Sequence, residues 1–109
     1  MKIAIIAANY YEDLASEMIE TAKKEIEKSK GTVSEVITVP GAFEIPFATD
    51  VVLKKLDAAV TLGAVIQGET AHDIVIAESV AQKILDISLN HKKPVGFGVI
   101  GPRVTKNQA

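Results

Sequence analysis

Cysteine and tryptophan are missing from this chain of 109 residues, and aromatics make up only 5% of it. Without thiols there can be no disulfide, no thiolate metal site and no cysteine nucleophile. A cysteine-free chain fits the cytoplasm, which is the expected location. Neither sign of charge is in excess: 12 Lys+Arg against 14 Asp+Glu leave a net charge of −2. Such a balance gives no electrostatic footprint for duplex nucleic acid or an anionic membrane, so neither is expected as a partner. No apolar run approaches the roughly 18 residues of a membrane span. There are two histidines, His72 and His91, too few for a structural zinc site unless several carboxylates converge on them. The Walker lysine loop, G-x-S-x-G and H-E-x-x-H are all absent. So is the acidic pair that follows the first strand of a phosphoryl-receiver domain.

What remains is an ordinary globular composition, 48% hydrophobic and 24% charged, of one-domain length. Residues 2–8 form a continuous apolar run, too short for a signal-peptide core and suited to a strand buried on both faces. Residues 11–30 predict a helix, with Leu14, Met18, Ala22 and Ile26 on one face, a Glu20–Lys24 pair, and Gly31 at C′. Residues 32–39 predict a second strand. Residues 42–55 predict a second helix with Pro46 in its first turn. Residues 58–62 predict a third strand and 63–70 a loop. Residues 71–90 predict a long helix with Ile76, Val80, Ile84 and Ile87 on one stripe. Residues 94–100 predict a fourth strand, 101–104 a turn, and Thr105 the N-cap of a further helix.

This βαβαβαβ pattern implies an α/β fold with a parallel four-stranded sheet, right-handed crossovers and expected order 2-1-3-4. The crossovers put the first helix on one face and the second and third on the other. Strands 3 and 4 are then bare on the first helix's face. The expectation is that a further C-terminal helix or a partner subunit covers them.

In open α/β sheets, ligands bind beyond the carboxyl ends of the strands, where strand order reverses. Here that point lies between strands 1 and 3. The segments meeting there are Asn9-Tyr10-Tyr11, the loop running from Gly63 to His72, and residues 39–44 beside them. Gly68-Glu69-Thr70 precedes a helix whose free N–H groups favour an anion such as phosphate, although an ordinary tight turn has the same appearance. His72 falls in that helix's first turn, where the positive dipole end favours neutral imidazole. Neutral imidazole can accept a proton and return it; by position alone, a capping role is commoner. His91, at the far end, has a structural reading only. Tyr10 could stack on a flat ligand. Phe43 and Phe47 could equally be core, and Phe97 is more often core than site. Glu44 could face a ligand or favour a helix start. Asp50, Asp73 and Glu78 are expected as solvated helix charges.

Three segments together resemble the lumazine synthase family. They are Val39-Pro40-Gly41-Ala42-Phe43-Glu44-Ile45-Pro46, Gly63-Ala64-Val65-Ile66-Gln67-Gly68-Glu69-Thr70-Ala71-His72 and Pro94-Val95-Gly96-Phe97-Gly98-Val99. The resemblance runs from about residue 3 to 109, and the Gly101-Pro102 turn is more similar to archaeal members. It implies a single flavodoxin-like three-layer domain over residues 1–109. The implied enzyme is a transferase of riboflavin biosynthesis. It would condense 5-amino-6-(D-ribitylamino)uracil with 3,4-dihydroxy-2-butanone 4-phosphate, without cofactor or metal. The family's pattern places Tyr10 against the pyrimidine. Ala42, Phe43 and Glu44 fall at the ribityl chain, Ala64, Val65 and Ile66 along the pyrimidine edge, and the N–H groups of Glu69 and Thr70 at the phosphate. His72 corresponds to the proton-transfer residue. Phe97 would come from a neighbouring subunit of a homo-oligomer, a pentamer or a multiple of pentamers. The family's phosphate-binding arginine belongs to a helix that would follow Ala109, and Arg103 does not replace it. The expectation is that the C-terminal helical part is missing from this chain.

Three other readings use the same fold, the plainest being a structural assembly subunit whose pocket is vestigial. The related archaeal-type riboflavin synthases depart from the Ala-Phe-Glu and Gly-Glu-Thr-x-His patterns. A non-catalytic flavin- or nucleotide-binding module would bind without releasing phosphate.

Overall fold

The structure, a computed structural model, describes residues 1–66 and 72–104. The expectations placed on 67–71, and on a helix from Thr105, lie outside them. In chain order the elements are β1 (Lys2–Ala8), α1 (Glu12–Lys28), β2 (Thr32–Val39), a 3₁₀ turn (Ala42–Glu44), α2 (Ile45–Leu53), β3 (Ala58–Ile66), α3 (His72–His91) and β4 (Val95–Val104). All neighbouring strands pair in parallel, in the order β2-β1-β3-β4. This is the α/β architecture and the strand order that the pattern predicts.

The apolar run of β1 is buried because both of its faces are covered. Ala4, Ile6 and Ala8 pack with Ile45, Val52 and Leu53 of α2 and with Ala77, Val80 and Ile84 of α3. Ile5 and Ala7 face the other way, with Leu62 of β3, against Met18, Ile19, Ala22 and Ile26 of α1. Successive strand residues point to opposite faces, so one short run serves two cores. Ile5, Ile6, Ile45 and Leu53 are fully buried. Each such side chain contributes about 1.5–3 kcal/mol through burial.

The helix faces are as expected: α1 on one side, α2 and α3 on the other. On α1's side, β4 presents glycine. A Cβ built on Gly96 would lie 3.6 Å from Val60 Cγ2, and one on Gly98 only 2.9 Å from Leu62 Cδ2 and 3.2 Å from the Thr61 carbonyl. That surface of β4 is therefore backbone at these two positions rather than exposed apolar side chain, and a Cβ at 98 would have to displace its neighbours on β3.

Several local expectations are corrected. The helix expected over 42–55 is a 3₁₀ turn followed by α2, which ends at Leu53. Pro46 has no N–H and fits only the first turn of an α-helix, so the chain upstream takes a tighter turn in which Glu44 N–H bonds the Gly41 carbonyl (3.1 Å). The loop expected from Gly63 is strand as far as Ile66, and the turn expected at 101–104 is part of β4. Each strand supplies the other's hydrogen-bonding edge, with Gly63 opposite Val99, Ala64 opposite Ile100 and Ile66 opposite Val104. Sheet pairing overrides the glycine signals. Pro102 is tolerated because β4 is an edge strand and the register is irregular there. Glu20 pairs with Lys23 at 3.5 Å rather than with Lys24.

Gly31 is not the left-handed residue after α1. Lys30 takes that conformation (φ 66°), and Gly31 N–H bonds the Ile26 carbonyl while Lys30 N–H bonds that of Glu27. α3 ends in the same way, with Lys92 at φ 54° and N–H bonds from Lys92 to Leu89 and from Lys93 to Ser88. Both long helices thus close in Schellman motifs with lysine at C′.

Candidate active site

The carboxyl ends of β1, β2 and β3 converge on one edge of the sheet. Asn9, directly after β1, donates its N–H to the Val39 carbonyl at the end of β2 (2.9 Å). That bond sets the Tyr10 segment beside the Pro40-Gly41 turn. β1 and β3 pair as far as Ala7 and Leu62. A Cβ on Gly63 would lie 3.3 Å from the Ala8 Cβ and 3.4 Å from Ile45 Cδ1, so a side chain at residue 63 would press on both neighbours.

A small pocket opens at this point, lined by Ala8, Tyr10, Tyr11, Leu14, Ala15, Met18, Gly63 and Ala64. Two predicted site residues, Tyr10 and Ala64, therefore share a wall although they lie far apart in sequence. Tyr10 is 75% exposed, and its ring meets that of Tyr11 edge to face, with centroids 4.9 Å apart and planes at 76°. An exposed ring held by an aromatic neighbour suits a flat ligand. Tyr11 is a lining residue that the sequence argument did not single out. The aromatic doublet at the strand exit was the signal for it.

The 3₁₀ turn carries the next group. Ala42 is buried in the α2–α3 core, while Phe43 and Glu44 are exposed. A Cβ at Gly41 would sit 3.5 Å from Glu44 Oε2, so the carboxylate folds back over the turn. α3 packs against this turn, which brings the helix that begins at His72 to the same edge. His72 opens that helix, at its positive end. Val65 and Ile66 close β3. Glu69 and Thr70 lie outside the described residues.

Phe97 does not join this group within one chain. It pairs with Thr61, one position short of the level at which Ala7, Leu62 and Gly98 align. β4 also lies two strands from β1, about 10 Å at ordinary strand spacing. Phe97 shares its side of β4 with Val95 and Val99, which pack on the α2–α3 core, yet it is 46% exposed itself. It is not core, and neither are Phe43 and Phe47. All three phenylalanines of the chain are exposed, and the interior is aliphatic.

Among the described residues no three His, Cys, Asp or Glu side chains group as metal ligands, and no helix is long and apolar enough to cross a membrane.

The sequence profile described as 6,7-dimethyl-8-ribityllumazine synthase matches residues 1–109. Similar archaeal proteins carry that same name. One from Metallosphaera sedula is 43% identical, covering 100% of this chain and 74% of its own length. One from Archaeoglobus fulgidus is 42% identical, covering 94% and 73% respectively. One from Methanobrevibacter smithii is 38% identical, covering 98% and 79%.

Proposed function

This chain belongs to the 6,7-dimethyl-8-ribityllumazine synthase family, transferases of riboflavin biosynthesis, and from that premise we propose how its carboxyl-edge crevice performs the condensation. Tyr10 stacks on the pyrimidine of 5-amino-6-(D-ribitylamino)uracil. Ala64, Val65 and Ile66 present backbone groups along the ring's edge. Ala42, Phe43 and Glu44 hold the ribityl chain. The N–H groups of Glu69 and Thr70 receive the phosphate of 3,4-dihydroxy-2-butanone 4-phosphate, aided by the helix dipole.

The 5-amino group attacks the ketone and water leaves to give an imine. Phosphate is then eliminated, and ring closure releases a second water. No cofactor or metal takes part in this reading. Holding two reactants in attack geometry is the larger contribution. His72, at the helix start, accepts and returns protons, which adds about 10²–10⁴-fold at most. The observation that carries the proposal is the pocket shared by Tyr10 and Ala64 at the strand-order reversal.

The working unit in this proposal is a homo-oligomer in the cytoplasm, a pentamer or a multiple of pentamers, each protomer being a single α/β domain. Two features favour it. Phe43, Phe47 and Val51 form an exposed stripe at four-residue spacing along the turn and α2, with Leu85 and Leu89 exposed on α3. Apolar patches of this kind mark interaction surfaces. The position of Phe97, away from its own crevice, suits a residue that closes a neighbour's.

Phosphate release with both substrates, followed alongside lumazine formation, tests the reading. Equal amounts of the two products are expected, and His72→Ala should slow turnover without abolishing it. Undiminished turnover in His72→Ala would remove its proton-transfer role. Tight lumazine binding with no phosphate release would indicate a binding module, and riboflavin from lumazine alone a riboflavin synthase.

A further inference from the structure

We infer that Thr61 is a positioning residue for Phe97, and through it for the neighbouring crevice; this rests on the proposal that Phe97 closes that crevice. Phe97 stands in a Gly96-Phe97-Gly98 segment on an edge strand. Glycine on both sides gives the backbone wide freedom and supplies no side chain to pack on α1's face. Restraint must come from β3. Thr61 is the residue paired with Phe97, it is fully buried, and its hydroxyl donates to the Gly96 carbonyl at 3.0 Å.

A buried hydroxyl on a central strand requires a partner, and this one binds the carbonyl of the peptide that leads directly into Phe97. The bond crosses from the interior strand to the edge strand at the aromatic residue. Val95 and Val99, packed on the core, hold the strand on either side. The Thr61 hydroxyl fixes the intervening glycine peptide, and so the direction in which the exposed ring leaves the sheet. An exposed aromatic whose direction is set before the subunits meet loses less freedom on joining another subunit's binding surface.

The test uses the full chain, with steady-state phosphate release and thermal unfolding of Thr61→Val, Thr61→Ser, Phe97→Ala and the Thr61→Val/Phe97→Ala double variant. Thr61→Val should raise KM for the pyrimidine substrate about three- to tenfold, the factor carried by one hydrogen bond, with kcat nearly unchanged. Thr61→Ser should restore KM. The double variant should have the KM of Phe97→Ala, since Thr61 acts only through that ring. Should the valine variant not fold, Thr61→Ala gives the same readout. A lower melting temperature with unchanged KM, or independent effects in the double variant, would overturn the inference. If Phe97→Ala itself leaves KM unchanged, the placement of Phe97 in the crevice fails instead, and the role of Thr61 with it.

Discussion

His91 Nε2 lies 2.8 Å from Asp50 Oδ1, so the last residue of α3 is tied to α2. Lys93 Nζ adds a bond to the Leu53 carbonyl, at the end of α2, and Ser88 Oγ donates to the Lys93 carbonyl at 2.7 Å. Asp50 is thus a partner rather than a freely solvated charge, whereas the structural reading of His91 holds. With the Asp50 side chain 48% exposed, the pair contributes less than about 1 kcal/mol. Asp50→Asn should lower the melting temperature by at most about 4–8 °C and leave turnover unchanged. A larger loss in calorimetry would mean that the clasp supports more than these helix ends.

Lys30 and Lys92 occupy left-handed backbone without the freedom of glycine. For an ordinary residue that conformation costs about 1–2 kcal/mol. Glycine removes the strain but loses more entropy on folding, about 0.5–1 kcal/mol. Lys30→Gly and Lys92→Gly should therefore each stabilise the protein by up to about 1 kcal/mol, and their effects should add because the sites are separate. Urea unfolding checks this through the midpoint at constant slope. A lower midpoint would show that the lysine side chains do more than occupy the cap.

Tyr10 is exposed and held by one aromatic neighbour, so its replacement should affect binding rather than folding. Tyr10→Phe should keep affinity for 6,7-dimethyl-8-ribityllumazine. Tyr10→Ala should weaken it about tenfold, the scale of one aromatic stack, with the melting temperature unchanged. Fluorescence titration with the lumazine measures this directly. Equal affinity in Tyr10→Ala would place the pyrimidine elsewhere.

Phe47 is 77% exposed on α2, and a charge placed there meets only water in an isolated protomer. Phe47→Lys should leave the far-ultraviolet circular dichroism of the protomer intact and shift sedimentation toward smaller species. Unchanged sedimentation would take the Phe43–Phe47–Val51 stripe out of the subunit contact.

The parallel order, the helix faces and the placement of the crevice were legible because the apolar runs are unambiguous. The run at 2–8 suits only a doubly covered strand, and the stripe at Ile76, Val80, Ile84 and Ile87 suits only a helix. Where glycine and proline were read locally, sheet pairing won: Gly63 and Pro102 look like loop residues, yet β3 and β4 carry each other past them. The cap of α1 went the same way, with Lys30 taking the left-handed place that the sequence pattern assigns to Gly31. The phenylalanines were opaque for a different reason. Burial depends on what surrounds a surface, and a single sequence does not state which apolar side chains the fold leaves on its outside. Tyr10 and Ala64 came together as expected, because topology alone fixes which strand ends are neighbours.

The offset of Phe97 from Tyr10 across the sheet has a genetic consequence. If, as proposed, a crevice is built by two chains, two impaired alleles can repair each other. Subunits lacking the ring at position 97, co-expressed with subunits lacking the imidazole at 72, would form mixed rings. In some crevices of those rings the intact half of each mutant would face the other, and activity would return in proportion to their number.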